Sequence, residues 1–109
     1  LINVVTAISG SVPAYIFYLV EVLSKIGMNQ GLSAESSKVL ALETLIGSAM
    51  LLESSNIDPK ILRQNVTSPG GTTEAGLEIL ASKKNGLFDL LNSTISCAKQ
   101  RAIYLNSNN

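Results

Sequence analysis

Nine residues, Val66-Thr67-Ser68-Pro69-Gly70-Gly71-Thr72-Thr73-Glu74, bring together turn formers, hydroxyls and a helix start that could bind a small polar ligand. Pro69 fixes its own φ at about −65°. It also pushes Ser68 toward extended geometry, while Gly70 and Gly71 can take positive φ or let another molecule approach the backbone closely. Thr72, Thr73 and Glu74 lead into Ala75, Leu77, Ile79 and Leu80, so a hydroxyl cap and an early acidic residue are expected to open a short helix. The first N–H groups of such a helix lack partners inside it and carry part of the macrodipole, which suits a small carboxylate or phosphate. A plain loop between two helices has the same composition, and the residue types alone leave both readings open.

Other chemistries are restricted by composition. The chain has no histidine and a single cysteine, Cys97. An internal disulfide is therefore excluded, and both a zinc site and a histidine-based triad are argued against, so no metal is expected. Eight basic and eight acidic residues give zero net charge, which points away from nucleic acid and from an anionic membrane surface. The Lys83-Lys84 pair reads as a solvated helix end. A lone thiol fits a reducing cytoplasm. The sequence starts at Leu1 rather than Met and has no basic stretch ahead of an apolar one, so no signal peptide is expected and 1–109 reads as a single domain excised from a longer chain.

A second block lies near the start, Ser9-Gly10-Ser11-Val12-Pro13-Ala14-Tyr15. Together with Val-Thr-Ser-Pro-Gly-Gly-Thr-Thr it resembles the C-terminal domain of the pyrroline-5-carboxylate reductases, from about Asn3 to about Tyr104. Val12 stands where that family usually has glycine. The resemblance implies an all-α domain of the 6-phosphogluconate-dehydrogenase-like type, paired as an interlocked helical homodimer or larger homo-oligomer. It implies reduction of 1-pyrroline-5-carboxylate to L-proline with NADP or NAD, the cofactor being held mainly by an N-terminal Rossmann domain that has no counterpart here. Carried onto this chain, Ser68, Gly70, Gly71, Thr72 and Thr73 would bind the substrate. The N–H groups of Gly71, Thr72 and Thr73 would hold its carboxylate, and the Thr73 hydroxyl would face the ring nitrogen as the catalytic donor or a relay to water. Thr6 and Ser9 would lie near the nicotinamide, a placement that simple capping hydroxyls would also explain. Two other readings stand beside it. One is the helical domain of another imine reductase or hydroxy-acid dehydrogenase, although many of these use a lysine near the substrate and this loop has none. The other is a non-catalytic assembly module.

The elements that must position these residues are helical throughout. Residues 1–11 read as an extended entry, with Ser11 as a candidate cap and Pro13 just inside the next helix. From 12 to 23 every residue except Glu21 is apolar or proline, which marks a helix buried in protein; about a dozen residues are too few to cross roughly 30 Å of hydrocarbon. It should end near Gly27 or Gly31. Ser33 caps a long helix to about Ser54, apolar at 3- and 4-residue steps, with Gly47, Ser48 and Ala49 offering a place for close helix approach. Asp58-Pro59 starts a short helix to about Asn65. After the glycine loop, a helix to about Ser82 stops at Asn85-Gly86, with Gly86 as the residue of positive φ. The last helix carries Leu87, Leu91, Ile95, Ala98, Ala102 and Leu105 in one seam, and 106–109 form a polar, frayed tail.

Hydrophobic residues make up 46% of the chain and charged ones 15%, where a quarter charged is usual. A chain of 109 residues can bury only about two-thirds of its unfolded surface. Part of the apolar surface therefore needs a protein partner.

Overall fold

A computed structural model describes residues 1–107, and all of its regular structure is helical. In chain order the elements are α1 (Ile2–Val5), a π-helical turn (Thr6–Gly10), α2 (Val12–Asn29), α3 (Ala34–Ser55), α4 (Pro59–Asn65), α5 (Thr72–Leu80) and α6 (Leu87–Ser107). The all-α expectation holds. The chain divides into two compact units, one made of Leu1–Val12 and the chain from Arg63 onward, the other of Pro13–Leu62.

In the second unit the helix ends follow from local chemistry. α2 closes in a Schellman motif: the Leu32 N–H donates to the Gly27 carbonyl at 3.0 Å and the Gly31 N–H to Met28 at 3.0 Å, with Gly31 at φ 106°. α3 opens on Ser33, whose Oγ accepts from the Ser36 N–H at 3.1 Å. It ends with Asn56 in the left-handed region at φ 56°. The Asp58 carboxylate accepts from Lys60 N–H at 2.8 Å and starts α4, as its sequence predicts. Where α2 and α3 meet, Gly27 lies so close to Ser37 that a Cβ there would stand 2.7 Å from Oγ and 3.1 Å from Cβ of Ser37. Ser37 is 2% exposed and its hydroxyl has no partner among the described residues. The apolar residues of α3 are spread around its circumference rather than gathered in one stripe, so no single face of it is the inner one.

In the first unit the N-terminal segment departs from expectation. Residues 1–11 are helical rather than extended, and Ser11 sits at φ −96°, ψ −34°, not in the extended geometry of an N-cap. The cause is tertiary. α1 and the π turn pack against α6, Ala7 is 1% exposed, and the Asn106 Nδ2 donates to the Asn3 Oδ1 at 2.8 Å. Asn106 and Ser107 accordingly continue α6 instead of fraying; the rest of the expected tail, 108–109, lies outside the described residues. Helix α6 begins after Asn85, which takes the positive φ of 60° expected at Gly86. Gly86 is required for space instead, because a Cβ there would run into the Ser82 carbonyl oxygen and the Leu80 carbonyl.

Little of this chain is covered by itself. Ala7, Ser37, Ala41 and Gly86 are the buried residues among those described, while Phe17 is 73% and Phe88 77% exposed. The accessible surface is 8758 Å², against about 5,800 Å² for a compact monomer of this mass. The helical run Ile2–Asn29 is 28 residues long, not the dozen expected, and by length and composition is apolar enough to cross a membrane. Helices α3 and α6 expose large apolar side chains as well, among them Met50, Leu51, Phe88 and Leu90.

Candidate functional site

The glycine-rich segment lies in the first unit between α4 and α5. As α4 ends, the N–H groups of Val66 and Thr67 donate to Arg63 and Gln64 at 3.3 and 3.1 Å, and the Thr67 hydroxyl donates to the Arg63 carbonyl. The chain then makes a β-turn over residues 68–71, closed by the Gly71 N–H to the Ser68 carbonyl at 3.0 Å. Pro69 and then Gly70 at φ 73° are the signature of a type II turn, in which the third residue must tolerate positive φ. Gly71 itself is at φ −86°, ψ −179°, ordinary extended backbone. It is glycine for space, since a Cβ would meet the Ser68 carbonyl oxygen at 3.1 Å.

Gly71 is also the N-cap of α5, so the expected hydroxyl cap is absent and Thr72 and Thr73 form the first helical turn. The reason is register. Their side chains come one and two positions too late to accept from the opening N–H groups. Glu74 does not replace that cap: its Oε1 accepts from the Gly70 N–H, one residue before the N-cap, at 3.1 Å. The spacing of an acid three residues after the N-cap signals such a reach-back, but Gly71 in place of serine or threonine hides it in the sequence.

The donors that remain define what the site can do. The Gly71 N–H is committed to the turn, which removes it from the donor set expected for an anion. Among the described residues the N–H groups of Thr72, Thr73 and Glu74 have no backbone acceptor, and the hydroxyls of Ser68, Thr72 and Thr73 make no hydrogen bond. Ser68, Thr72 and Thr73 are exposed. Free amides at a helix start with two hydroxyls beside them suit one planar anion with a polar atom next to it. Below the turn, a groove of about 340 Å³ is lined by Arg63, Gln64, Thr67, Glu74, Leu77 and Glu78.

Thr6 and Ser9 are differently placed. Their hydroxyls donate to the carbonyls of Ile2 and Val5 at 2.9 and 2.7 Å, so within the π turn both donors are used by the helix itself. Only their lone pairs are left for a ligand. Both are exposed.

Fold and site together define a class: an all-helical association module, apolar on its outside, that presents unpaired amides and hydroxyls at one glycine-opened helix start. The chain belongs to the family described as pyrroline-5-carboxylate reductase dimerisation, whose pattern matches residues 1–105. The pyrroline-5-carboxylate reductase of Pseudomonas aeruginosa is 41% identical over 104 residues, covering 95% of this chain and 37% of that protein. That of Arabidopsis thaliana is 40% identical over 98 residues, covering 90% and 35%. Among solved structures, Plasmodium falciparum pyrroline carboxylate reductase with NADP bound superposes with a TM-score of 0.84 at 35% identity, over 93% of this chain and 38% of that one. The chain thus spans a little over a third of the length of these relatives.

Proposed function

We propose that this chain is the dimerisation and substrate-holding part of an NAD(P)H-dependent pyrroline-5-carboxylate reductase, which reduces 1-pyrroline-5-carboxylate to L-proline in proline biosynthesis. The observation that carries the reading is the set of free groups at Thr72 and Thr73, found in a chain 41% identical to a named reductase. In 1-pyrroline-5-carboxylate the imine nitrogen is bonded directly to the carbon that bears the carboxylate. A residue whose own amide and hydroxyl are both free can meet the two together. The N–H groups of Thr72 and Thr73, with that of Glu74, hold the carboxylate. The Thr73 Oγ1 faces the ring nitrogen, where it donates a hydrogen bond or passes a proton from water as the imine becomes an amine. Threonine is too weak an acid to lose its proton outright, so its service is orientation and relay.

The nicotinamide cofactor, NADP or NAD, supplies the hydride when bound, and most of its contacts fall to a nucleotide-binding portion outside these 109 residues, since no G-x-G-x-x-G follows a strand here. Thr6 and Ser9 can meet it only as acceptors, for instance from the carboxamide N–H groups. This chain alone is then inactive.

The apolar surface of α2, α3 and α6 is covered by a second copy of the chain. A lipid bilayer around Ile2–Asn29 would leave the exposed apolar residues of α3 and α6 uncovered, whereas a homodimer covers all three helices, in a soluble, cytoplasmic enzyme.

The test is made in the full-length enzyme. Thr73→Val keeps the volume and removes the hydroxyl; kcat should fall by roughly 10- to 10³-fold, with the KM for cofactor unchanged, by analogy with the loss of one preorganised donor. Wild-type kcat and KM in that variant, folded and assembled, would sink the assignment of Thr73.

A further inference from the structure

The Glu74 side chain is not among the groups that the reaction needs, yet its carboxylate is tied to the turn. It is half-buried and its Oε1 accepts from the Gly70 N–H at 3.1 Å. The same device recurs at the start of α6. There the Asp89 Oδ2 accepts from the Asn85 N–H at 2.9 Å. In both cases an acid reaches back four residues to a residue of positive φ, Gly70 at 73° and Asn85 at 60°, across an intervening glycine. In both, that glycine's carbonyl accepts the first helical bond at 3.2 Å, from Ala75 and from Leu90. The chain thus contains one latch at the substrate loop and a matched latch where no substrate is expected.

We propose that Glu74 is the positioning residue of the substrate loop: by holding the Gly70 N–H it fixes the left-handed turn and keeps its own carboxylate off the amides of Thr72 and Thr73. This rests on the reading of the loop as the carboxylate site. The second half of the proposal follows from charge. An acid in the first turn of a helix is drawn to the unpaired N–H groups there, the same groups that a substrate carboxylate needs. Tied to Gly70, Glu74 leaves those amides to the substrate.

Steady-state kinetics of the full-length reductase separate the outcomes. Glu74→Ala should raise the KM for 1-pyrroline-5-carboxylate by roughly tenfold, the value of one hydrogen bond to a charged group at a partly exposed site, with kcat and the KM for NADPH within about twofold. Glu74→Gln retains an acceptor for the Gly70 N–H and should return the KM to within about threefold of wild type. Asp89→Ala, which breaks the matched latch, should lower the unfolding midpoint and leave the KM for the imine unchanged. Equal KM increases in Glu74→Ala and Glu74→Gln would assign the effect to charge and overturn the positioning role. A wild-type KM in Glu74→Ala, with Gly71→Val still raising it, would overturn the role while leaving the loop as the substrate site. If Gly71→Val, Thr73→Val and Glu74→Ala all keep wild-type kinetics, the loop itself is not the site. Should Glu74→Ala fail to fold, hydrogen exchange decides: the Gly70 amide should be protected in the wild-type enzyme, and exchange at the rate of an open peptide would overturn the proposal.

Discussion

Removing the aromatic ring at Phe88 is expected to break the assembly while leaving the helices of each chain intact. Phe88 is 77% exposed on the chain taken alone and lines an apolar groove with Leu87, Leu91 and Ile95. Fully burying such a side chain contributes about 2–3 kcal/mol. A twofold dimer uses the residue twice, so Phe88→Ala should cost about 4–6 kcal/mol of association, or roughly 10³- to 10⁴-fold in Kd. The surface available for association is ample. The chain exposes 8758 Å², about 3,000 Å² beyond a compact monomer of its mass, so two copies could cover about 6,000 Å² in total. That is at or above the range of permanent interfaces, about 2,000–5,000 Å². Light scattering after size exclusion should therefore give 2 × 11.5 = 23 kDa, or a multiple, for the wild-type chain at micromolar concentration. Thermal unfolding should shift upward with protein concentration, as it does when folding and association are linked. For Phe88→Ala the mass should fall on dilution through the micromolar range. A monodisperse 11.5 kDa wild-type species would refute the reasoning, and so would a dimer whose dissociation is unchanged by the substitution.

Three further outcomes follow from close contacts. Gly71→Val places a branched side chain against the Ser68 carbonyl oxygen, 3.1 Å from where its Cβ would stand; in the full-length enzyme the KM for the imine should rise more than kcat falls, read from initial rates. Gly27→Ala overpacks the α2–α3 contact with Ser37 and should cost about 1–3 kcal/mol in chemical denaturation, whereas Ser37→Ala removes a buried hydroxyl without a partner and should be neutral or stabilising by about 1 kcal/mol. Gly86→Ala collides with backbone rather than with a flexible side chain, so it should cost at least about 3 kcal/mol and lower the unfolding midpoint more than Gly27→Ala does.

What could be read in the sequence is whatever local chemistry decides. Ser33, Asp58-Pro59, Gly31 and Pro69-Gly70 announce caps and turns through their own hydroxyls, carboxylates and backbone freedom, and each acts where its type implies. What could not be read is decided by distant partners or by register. Ile2, Val4 and Val5 have strand-like propensities, yet they are helical because the segment packs on α6, and the Asn3–Asn106 bond joins residues 103 positions apart. Asn85 rather than Gly86 takes the positive φ, and Gly86 is glycine because the Ser82 and Leu80 carbonyls crowd it, which residue types alone do not reveal. At the candidate site the residue types singled out nine residues, but not which of their donors are spent. The Gly71 amide goes to Ser68, and the Thr6 and Ser9 hydroxyls go to their own helix.

The π turn at Thr6–Gly10 makes this end of the protein sensitive to length more than to identity. A π turn is an α-helix with one residue inserted, and each residue of an α-helix advances the winding by about 100°. The extra residue therefore turns Ile2–Val5 by about that angle relative to the azimuth that unbroken α winding back from Ser11 would give them. Asn3 meets Asn106 with that extra residue in place. Deleting any one residue between Thr6 and Gly10 would restore regular winding and turn Asn3 away from α6, even if every remaining side chain kept its chemistry. Substitutions in the same segment, Ala7 apart, would leave that azimuth alone.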